Sequence, residues 1–279
     1  MHIPDDILNS VAFLSPDDDA PRNLGTGFTV GIPGFMVGGI PTGVFNVVFL
    51  YLVTAAQVAR QIDGVPFLIG LNLRARQFGK SVIQTRNNYH WCYHPLEAET
   101  VDVAVTFMSA SNSRNFDYIP ISMLASDNLT NIAPTRSRCS VDAIRLEARL
   151  TGREHQQALP IHGYIASSAT EDVDSYEVEM ESDPGMPGTP VFVHHDSVLN
   201  LSPADARHRL EPSAVSLLGL LSETNNEREK GRIASLVVPS KRILEVLNHP
   251  ELVKPRQEAN RRYKEWMNTG NALGWGRRP

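Results

Sequence analysis

The chain has 279 residues, of which 42% are hydrophobic and 20% are charged. These proportions are close to the average for a globular protein with a hydrophobic core, so wholesale disorder and a fibrous architecture are excluded. The net charge is −5, but residues 251–279 carry seven Lys and Arg against three Glu, a local +4 that leaves −9 on the first 250 residues. We interpret this segment as a solvated basic tail, with docking on the acidic body of the chain itself, on nucleic acid or on anionic lipid as the alternative.

Neither a membrane span nor a secretory signal is predicted near the N-terminus. Residues 23–59 carry no charge, but prolines and glycines divide them, and the apolar part 44–59 falls short of the roughly 20 residues that a spanning helix requires. The first ten residues lack a basic start. Cys92 and Cys139 are the only cysteines and lack the spacing of a metal site, so we expect no metal, no cofactor, no disulfide and a cytoplasmic location.

Short segments rich in β-branched and aromatic residues follow one another along the chain, separated by turn residues, as strands do. No long helical period interrupts them. Their spacing is typical of an all-β sandwich or of a system of barrels. The predicted strands cover residues 26–32, 44–54, 66–75, 101–107, 175–180, 190–195, 214–221 and 233–239.

Helices are predicted only towards the C-terminus. The hydroxyl of Ser240 is placed to cap a helix that Pro250 limits. One face of this helix carries three apolar residues, Ile243, Leu244 and Leu247. A second helical stretch is predicted after Pro255, and residues 268–279 are predicted to be disordered.

A polar, turn-rich stretch at residues 111–136 separates the two sets of predicted strands. We interpret it as the crossing between two halves. The predicted division is an N-terminal half over 1–112, a connection over 113–136, a C-terminal half over 137–250 and the basic tail over 251–279.

Three motifs occur in a fixed order along the chain: "GTGFTV" with "YLVTAAQVA", then "HPLEAETVDVAV", then "PGMPGTPVF". In this order they resemble the trypsin-like serine peptidases of the chymotrypsin fold, and in particular their disulfide-poor bacterial members. The resemblance covers residues 3–250. It implies two antiparallel six-stranded β-barrels with a C-terminal helix and a helical or disordered basic tail.

The resemblance assigns catalytic positions that this chain does not fill. The aspartate position is Asp102, which matches, but Gln57 stands at the histidine position and Pro187 at the serine position. A glutamine amide cannot relay a proton near neutral pH. Proline lacks both a hydroxyl and a backbone N–H, so of the two oxyanion donors that the family uses, the N–H of Gly185 is the one that remains.

Substitute nucleophiles are disfavoured by position. Thr189 and Ser182 each carry a hydroxyl near the replaced serine, but no base can be assigned to either. His194 and His195 end a predicted strand, where alternation sends them to opposite faces. We interpret them as surface or satisfied core histidines rather than as a base or a metal ligand.

A pair of histidines precedes the aspartate motif. His90 and His94 are four residues apart, which would suit a metal on a helix, but the interleaved aromatic residues and Pro95 favour an extended segment. We therefore interpret these histidines as packing residues.

The sequence thus predicts a catalytically inactive homologue of a trypsin-like peptidase that acts by binding a protein or peptide. The residues expected near its cleft are Gln57, Asp102, Gly185, Pro187, Thr189 and Ser222. One alternative is an active serine or threonine endopeptidase with a displaced nucleophile. The other is an assembly module that contacts a partner, or less readily nucleic acid, through the basic tail; contact with a membrane is not expected.

Overall fold

The structure is a computed structural model. It describes the following residues: 3–16, 24–34, 48–72, 80–84, 89–109, 117–124, 139–148, 156–167, 175–181, 186–194, 215–229 and 232–272.

The first half of the chain forms one sheet of eight strands. Helix α1 (Asp5–Leu8) precedes it, and helix α2 (Ala56–Ile62) follows its third strand. The strands are β1 (Val11–Pro16), β2 (Gly25–Pro33), β3 (Val48–Thr54), β4 (Phe67–Asn72), β5 (Lys80–Gln84), β6 (Cys92–Tyr93), β7 (Ala104–Ser109) and β8 (Ile119–Pro120). Their order is β5-β4-β1-β2-β3-β7-β6, with β8 parallel to β2. A short 3-10 helix, Ile121–Met123, follows β8.

The second half forms a closed six-stranded barrel. Its strands are β9 (Ser140–Ala148), β10 (Gln156–Ser167), β11 (Tyr176–Met180), β12 (Pro190–His194), β13 (Val215–Glu229) and β14 (Arg232–Pro239). They close in the order β10-β11-β14-β13-β12-β9. Helices α3 (Ser240–Leu247) and α4 (Pro250–Ala272) follow.

The two halves share one strand connectivity. In the first, β1 pairs with β2 and β4, β2 with β3, β3 with β7, and β4 with β5. In the second, β9 pairs with β10 and β12, β10 with β11, β11 with β14, and β12 with β13. The first sheet ends at β5 and β6, which are consecutive, and residues 85–88 between them lie outside the described residues. The expected all-β fold class with C-terminal helices is confirmed, with one closed six-stranded barrel. The first half, predicted to be a second six-stranded barrel, is an eight-stranded sheet whose end strands β5 and β6 are not paired among the described residues.

A single apolar cluster joins the halves. Strand β12 alternates, so that Val191 and Val193 point into the second barrel while Phe192 points out of it. Phe192 belongs, with Leu217 and apolar residues of α3, to the cluster that also fills the first half. The junction between the halves is therefore held by core packing.

Four of the eight strands of the first half were predicted, and β1, β5, β6 and β8 were not. In the second half four of the six were predicted, strand β13 extends to Glu229, eight residues beyond the predicted 221, and neither β9 nor β10 was predicted. Both carry charged or polar residues, such as Asp142 and His162. Residues 44–47 and 73–75 of two predicted strands lie outside the described residues.

The C-terminal helices differ from the prediction at their ends. Helix α3 begins at Ser240 itself, with Pro239 before it and no side-chain cap. Helix α4 begins at Pro250 rather than after Pro255, because the first position of a helix needs no N–H donor. It continues through Pro255 and over residues 268–272, which were predicted to be disordered. None of the helices among the described residues has the length and apolar character that a membrane span requires.

The exposed face of α4 carries ion pairs within the helix, Arg262 with Glu258 and Arg261 with Glu265. Such pairs between residues four apart contribute a few tenths of a kcal/mol each, about 0.2–0.5. They fit a solvated tail at residues 258–265. The start of α4 instead docks on the body of the chain, through the buried Leu252 and through Arg256, whose guanidinium lies 5.8 Å from the centre of the Tyr51 ring.

Candidate functional site

Asp102 lies where helix α2 begins. The backbone N–H of Gln57, in the first turn of α2, donates to Asp102 Oδ1 at 2.9 Å, and Ala55 before the helix supplies no side-chain cap. A carboxylate at this end satisfies one N–H that lacks an intrahelical acceptor, and it interacts favourably with the helix dipole. Asp102 therefore acts as the N-terminal cap of α2, supplied from a distant part of the chain.

The side-chain amide of Gln57 binds the other oxygen of the same carboxylate. Its Nε2 donates to Asp102 Oδ2 at 2.9 Å and to the carbonyl oxygen of Ser222 at 2.8 Å. An amide nitrogen has two hydrogens, so both are used. The Gln57 side chain is held here as a hydrogen-bond donor, and it carries no group that titrates near neutral pH.

Ser222 connects the second barrel to this pair. It lies in β13, and its Oγ donates to Asp102 Oδ2 at 2.7 Å while its carbonyl accepts from Gln57. The Asp102 carboxylate thus receives three hydrogen bonds, two from α2 and one from β13. We call Gln57, Asp102 and Ser222 the Gln57 site. Removing a donor from a partly buried carboxylate is costly, which gives Asp102 a structural role that does not depend on catalysis.

The turn at residues 186–189 is bound to both halves. The carbonyl of Pro187 accepts from the N–H of Thr26 at 2.9 Å. The N–H of Gly188 donates to the carbonyl of Leu221 at 2.8 Å, and Leu221 in turn donates to the carbonyl of Thr189 at 2.8 Å. The turn is therefore fixed against β2 on one side and β13 on the other, at the residue before Ser222.

Gly25 brings this turn close to helix α2. A Cβ at Gly25 would lie 2.5 Å from Val58 Cγ2 and 3.1 Å from the carbonyl oxygen of Pro187. Val58 follows Gln57 in α2. The glycine therefore fills a narrow space between the residue beside Gln57 and Pro187, and the positions at which the sequence predicts a replaced histidine and a replaced serine lie near each other.

Thr189, one of the two substitute nucleophiles considered above, is fully buried, and its Oγ1 donates to the carbonyl of Met186 at 2.7 Å. Within the described ranges, no hydrogen bond joins this hydroxyl to an imidazole or a carboxylate. Ser182, Gly185 and His195 lie outside the described residues, so the remaining oxyanion donor and the other substitute nucleophile are not placed.

His94 has a structural role in the region between the aspartate motif and α3. Its Nδ1 accepts from the backbone N–H of Glu97 at 3.0 Å, which leaves Nε2 to donate to Glu245 at 2.9 Å. Burial would raise the pKa of Glu245, but hydrogen bonds from Arg242 and His94 outweigh it, and the pKa is lowered. His94 therefore anchors α3 to the first half.

A second carboxylate with several partners lies in the second barrel, and the sequence did not indicate it. Asp142 binds His162 Nδ1 through Oδ1 at 2.9 Å and His194 Nε2 through Oδ2 at 2.6 Å. Asp142 and His194 are both buried. Ser140 Oγ lies 3.4 Å from Nε2 of His162. The signal was the pairing of β9 with β10, which places Asp142 opposite His162, but neither strand was predicted.

Burial by itself would raise the pKa of Asp142. Hydrogen bonds from His194 and then His162 outweigh this effect, and the pKa lies below its usual value of 3.8. Asp142 is therefore ionised at neutral pH. His194 is a buried histidine whose Nε2 has a carboxylate partner, which agrees with its interpretation as a core histidine.

No family model and no curated protein sequence matches the chain. Among solved structures, 270 chains match. One is the tobacco vein mottling virus protease, with 14% sequence identity, a TM-score of 0.48, and coverage of 88% of this chain and 84% of that chain. At this identity and TM-score, the similarity does not indicate the activity of this chain.

Proposed function

We propose that the chain is a catalytically inactive relative of the chymotrypsin-fold peptidases that binds a protein or peptide at the Gln57 site. The observation that supports this most directly is the amide of Gln57, which donates to both Asp102 and the Ser222 carbonyl. In a peptidase this position needs an imidazole that accepts a proton from the nucleophile and returns it to the leaving group. An amide whose nitrogen already donates twice does neither.

Pro187 removes two further functions at the same place. It has no hydroxyl to attack a carbonyl and no N–H to stabilise an oxyanion. Loss of one oxyanion donor costs a factor of about 10²–10³ in rate, and the residual acceleration after loss of a triad depends on that oxyanion hole. Base, nucleophile and one oxyanion donor are therefore absent together.

The same residues leave binding available. Gln57 is exposed, and Pro187 and Ser222 are partly exposed, so the hydrogen-bonded groups border on solvent at the junction of the halves. Grooves between barrels offer strand edges on which an extended peptide is able to add as a further strand. We infer that such a ligand binds uncleaved along this junction.

The inactivity is tested by repair. We expect the natural protein to show no labelling by a fluorophosphonate probe and no cleavage of a fluorogenic peptide library, and the double variant Gln57→His with Pro187→Ser to gain labelling. The physical reason is that the variant restores the base, the nucleophile and the missing N–H beside Asp102 in one step. Mass spectrometry of the intact protein and of its peptides reads the site of labelling.

The single variants serve as controls, because each restores only part of the chemistry, and both are expected to stay unlabelled. A labelled natural protein would overturn the proposal, and the modified peptide would identify the nucleophile. A folded but unlabelled double variant would argue that Gln57 and Pro187 do not occupy equivalent catalytic positions.

Binding is tested at Ser222. Peptides that bind the natural protein are first selected on an immobilised random-peptide array. The variant Ser222→Phe is expected to bind the selected peptides with an affinity about tenfold lower or weaker still. A bulky ring at the junction would block an extended ligand and remove the donor to Asp102. Ser167→Phe, at an exposed position of β10, is the matched control and should bind normally. Unchanged affinity of the folded Ser222 variant would place the ligand elsewhere.

One observation favours an active hydrolase with a displaced nucleophile. Ser140 Oγ, the two ring nitrogens of His162 and Asp142 Oδ1 stand in the order hydroxyl, imidazole, carboxylate, with separations of 3.4 Å and 2.9 Å. This order is that of nucleophilic hydrolases. The same labelling experiment distinguishes the two proposals, because modification of Ser140 in the natural protein supports the hydrolase and its absence contradicts it.

A further inference from the structure

Three donor atoms of different chemistry converge where β6 meets the start of α4. They are Nε2 of His90, Sγ of Cys92 and a carboxylate oxygen of Glu251, all within 4.8 Å of one another. We call these residues the His90 cluster. We propose that the His90 cluster is a zinc-binding site, with the three side chains as ligands and a water molecule in the fourth position.

The chain holds all three ligands on fixed backbone. His90 and Cys92 are two residues apart in extended chain, so their side chains share one side. Cys92 belongs to β6, which pairs with β7, and Thr106 of β7 donates to the carbonyl of His90 at 2.9 Å. Glu251 lies in the first turn of α4, which the buried Leu252 fixes against the core. The site therefore exists before an ion arrives.

The distances are close to those of a tetrahedral zinc site. Zinc bonds of about 2.3 Å to sulfur and about 2.0–2.2 Å to nitrogen and oxygen place tetrahedral ligand atoms roughly 3.3–3.7 Å apart. Cys92 Sγ lies 3.9 Å from Glu251 Oε2, and His90 Nε2 lies 2.7 Å from the same oxygen. The distance between His90 Nε2 and Glu251 Oε2 has to increase when an ion binds. The two side chains have room to turn, because they are 76% and 58% exposed.

The ligand set selects the metal. Calcium and magnesium require oxygen ligands, whereas one thiolate, one imidazole and one carboxylate suit zinc. With Cys92 as thiolate and Glu251 ionised, the ligands carry two negative charges, which balance Zn²⁺. Burial raises the pKa of the Cys92 thiol to about 11, with Glu251 adding to the rise, so the ion has to displace a proton when it binds.

A bound ion would join the C-terminal helix to the first half. His90 and Cys92 belong to the first sheet region, and Glu251 begins α4 about 160 residues later. Without an ion, the two parts are linked here by the hydrogen bond between His90 and Glu251. Because an ion that binds the folded state alone stabilises it by mass action, zinc is expected to raise the melting temperature.

The experiment titrates the purified full chain with Zn²⁺ by calorimetry and with Co²⁺ by absorption spectroscopy. We expect one equivalent of each ion to bind, and the Co²⁺ form to show a thiolate-to-metal charge-transfer band in the near ultraviolet. Cys92→Ser should abolish that band, and Glu251→Gln should weaken zinc binding by at least about tenfold to a hundredfold, the loss that even indirect partners of a metal cause.

Two matched variants control for general effects. Cys139→Ser removes the other buried cysteine, and Glu258→Gln removes a carboxylate from the same helix; both should bind as the natural protein does. If neither Zn²⁺ nor Co²⁺ binds, the proposal is overturned. So would binding of Co²⁺ without the charge-transfer band, since the ion would then lie away from Cys92. Because Glu251 is exposed, its variant tests the site even if the Cys92 variant fails to fold.

Discussion

Gly188→Ala is expected to lower the free energy of unfolding by about 4 kcal/mol or more, the range reserved for severe clashes or strain. Gly188 has φ +90, and a Cβ there would lie 1.9 Å from the carbonyl oxygen of Thr26 and 2.6 Å from Thr54 Oγ1. That carbonyl accepts the Thr54 hydroxyl at 2.7 Å. The turn beside Pro187 would have to leave β2 to admit the methyl group. Chemical denaturation monitored by circular dichroism measures the loss.

Gly64→Ala is the control that separates strain from contact. Gly64 also has a positive φ, +72, but no atom lies within 4 Å of an added Cβ. It should therefore cost only the backbone term, about 1–2 kcal/mol. Equal losses for the two variants would mean that the close approach of Gly188 to Thr26 does not fix the turn.

Asp142→Ala is expected to destabilise the protein by about 1–3 kcal/mol at neutral pH, the cost of leaving buried hydrogen-bond donors without their acceptor. The carboxylate is the shared partner of His162 and His194, and alanine leaves both imidazoles without it. Asp142→Asn keeps the shape and should lose less, because an amide oxygen still accepts from one of the two rings. Glu99→Gln, at a side chain 92% exposed, should change stability by no more than about 0.5 kcal/mol.

The stabilisation of the fold by Asp142 is expected to decrease at low pH. Because hydrogen bonds from the histidines outweigh burial and depress the pKa of Asp142 in the folded state, its stabilisation is complete above the unfolded value near 3.8 and is lost as the pH falls through the folded pKa. The stability difference between the natural protein and Asp142→Asn should therefore hold from neutral pH down to about pH 4 and shrink at lower pH. A difference that stays constant below about pH 4 would contradict the ionised carboxylate.

Apolar runs predicted strands such as β3 and β12, and alternation predicted β11, whereas β1 was missed although residues 11–14 are buried and apolar. Residues 48–54 and 190–194 are buried throughout, so composition alone distinguishes them from turns. Strands β9 and β10 could not be predicted in this way. Their polar residues, including Asp142 and His162, are stabilised by partners on neighbouring strands, and a single segment does not contain that information.

The errors in the predicted helices and helix ends have a related cause. Helix α2 is only seven residues long, too short to show a hydrophobic period, and its N-terminal cap is Asp102, 45 residues away in the chain. Helix α4 passes through Pro255, although proline removes a backbone N–H and disfavours a helix interior. Sequence signals predict the end of a helix when its capping residue is adjacent in the chain, and the capping residue of α2 is not adjacent.

The sequence by itself determined which functional groups each position carries, because the identity of a side chain fixes them: Gln57 cannot relay a proton, and Pro187 cannot attack or donate. It also determined the all-β class through the spacing of its apolar segments. Only the tertiary structure decided what the remaining groups do. Asp102 became the cap of α2 and the acceptor of three hydrogen bonds, and His90, Cys92 and Glu251 became one cluster, because hydrogen bonds and metal sites depend on distances in space, which strand pairing and packing set between residues far apart in the chain.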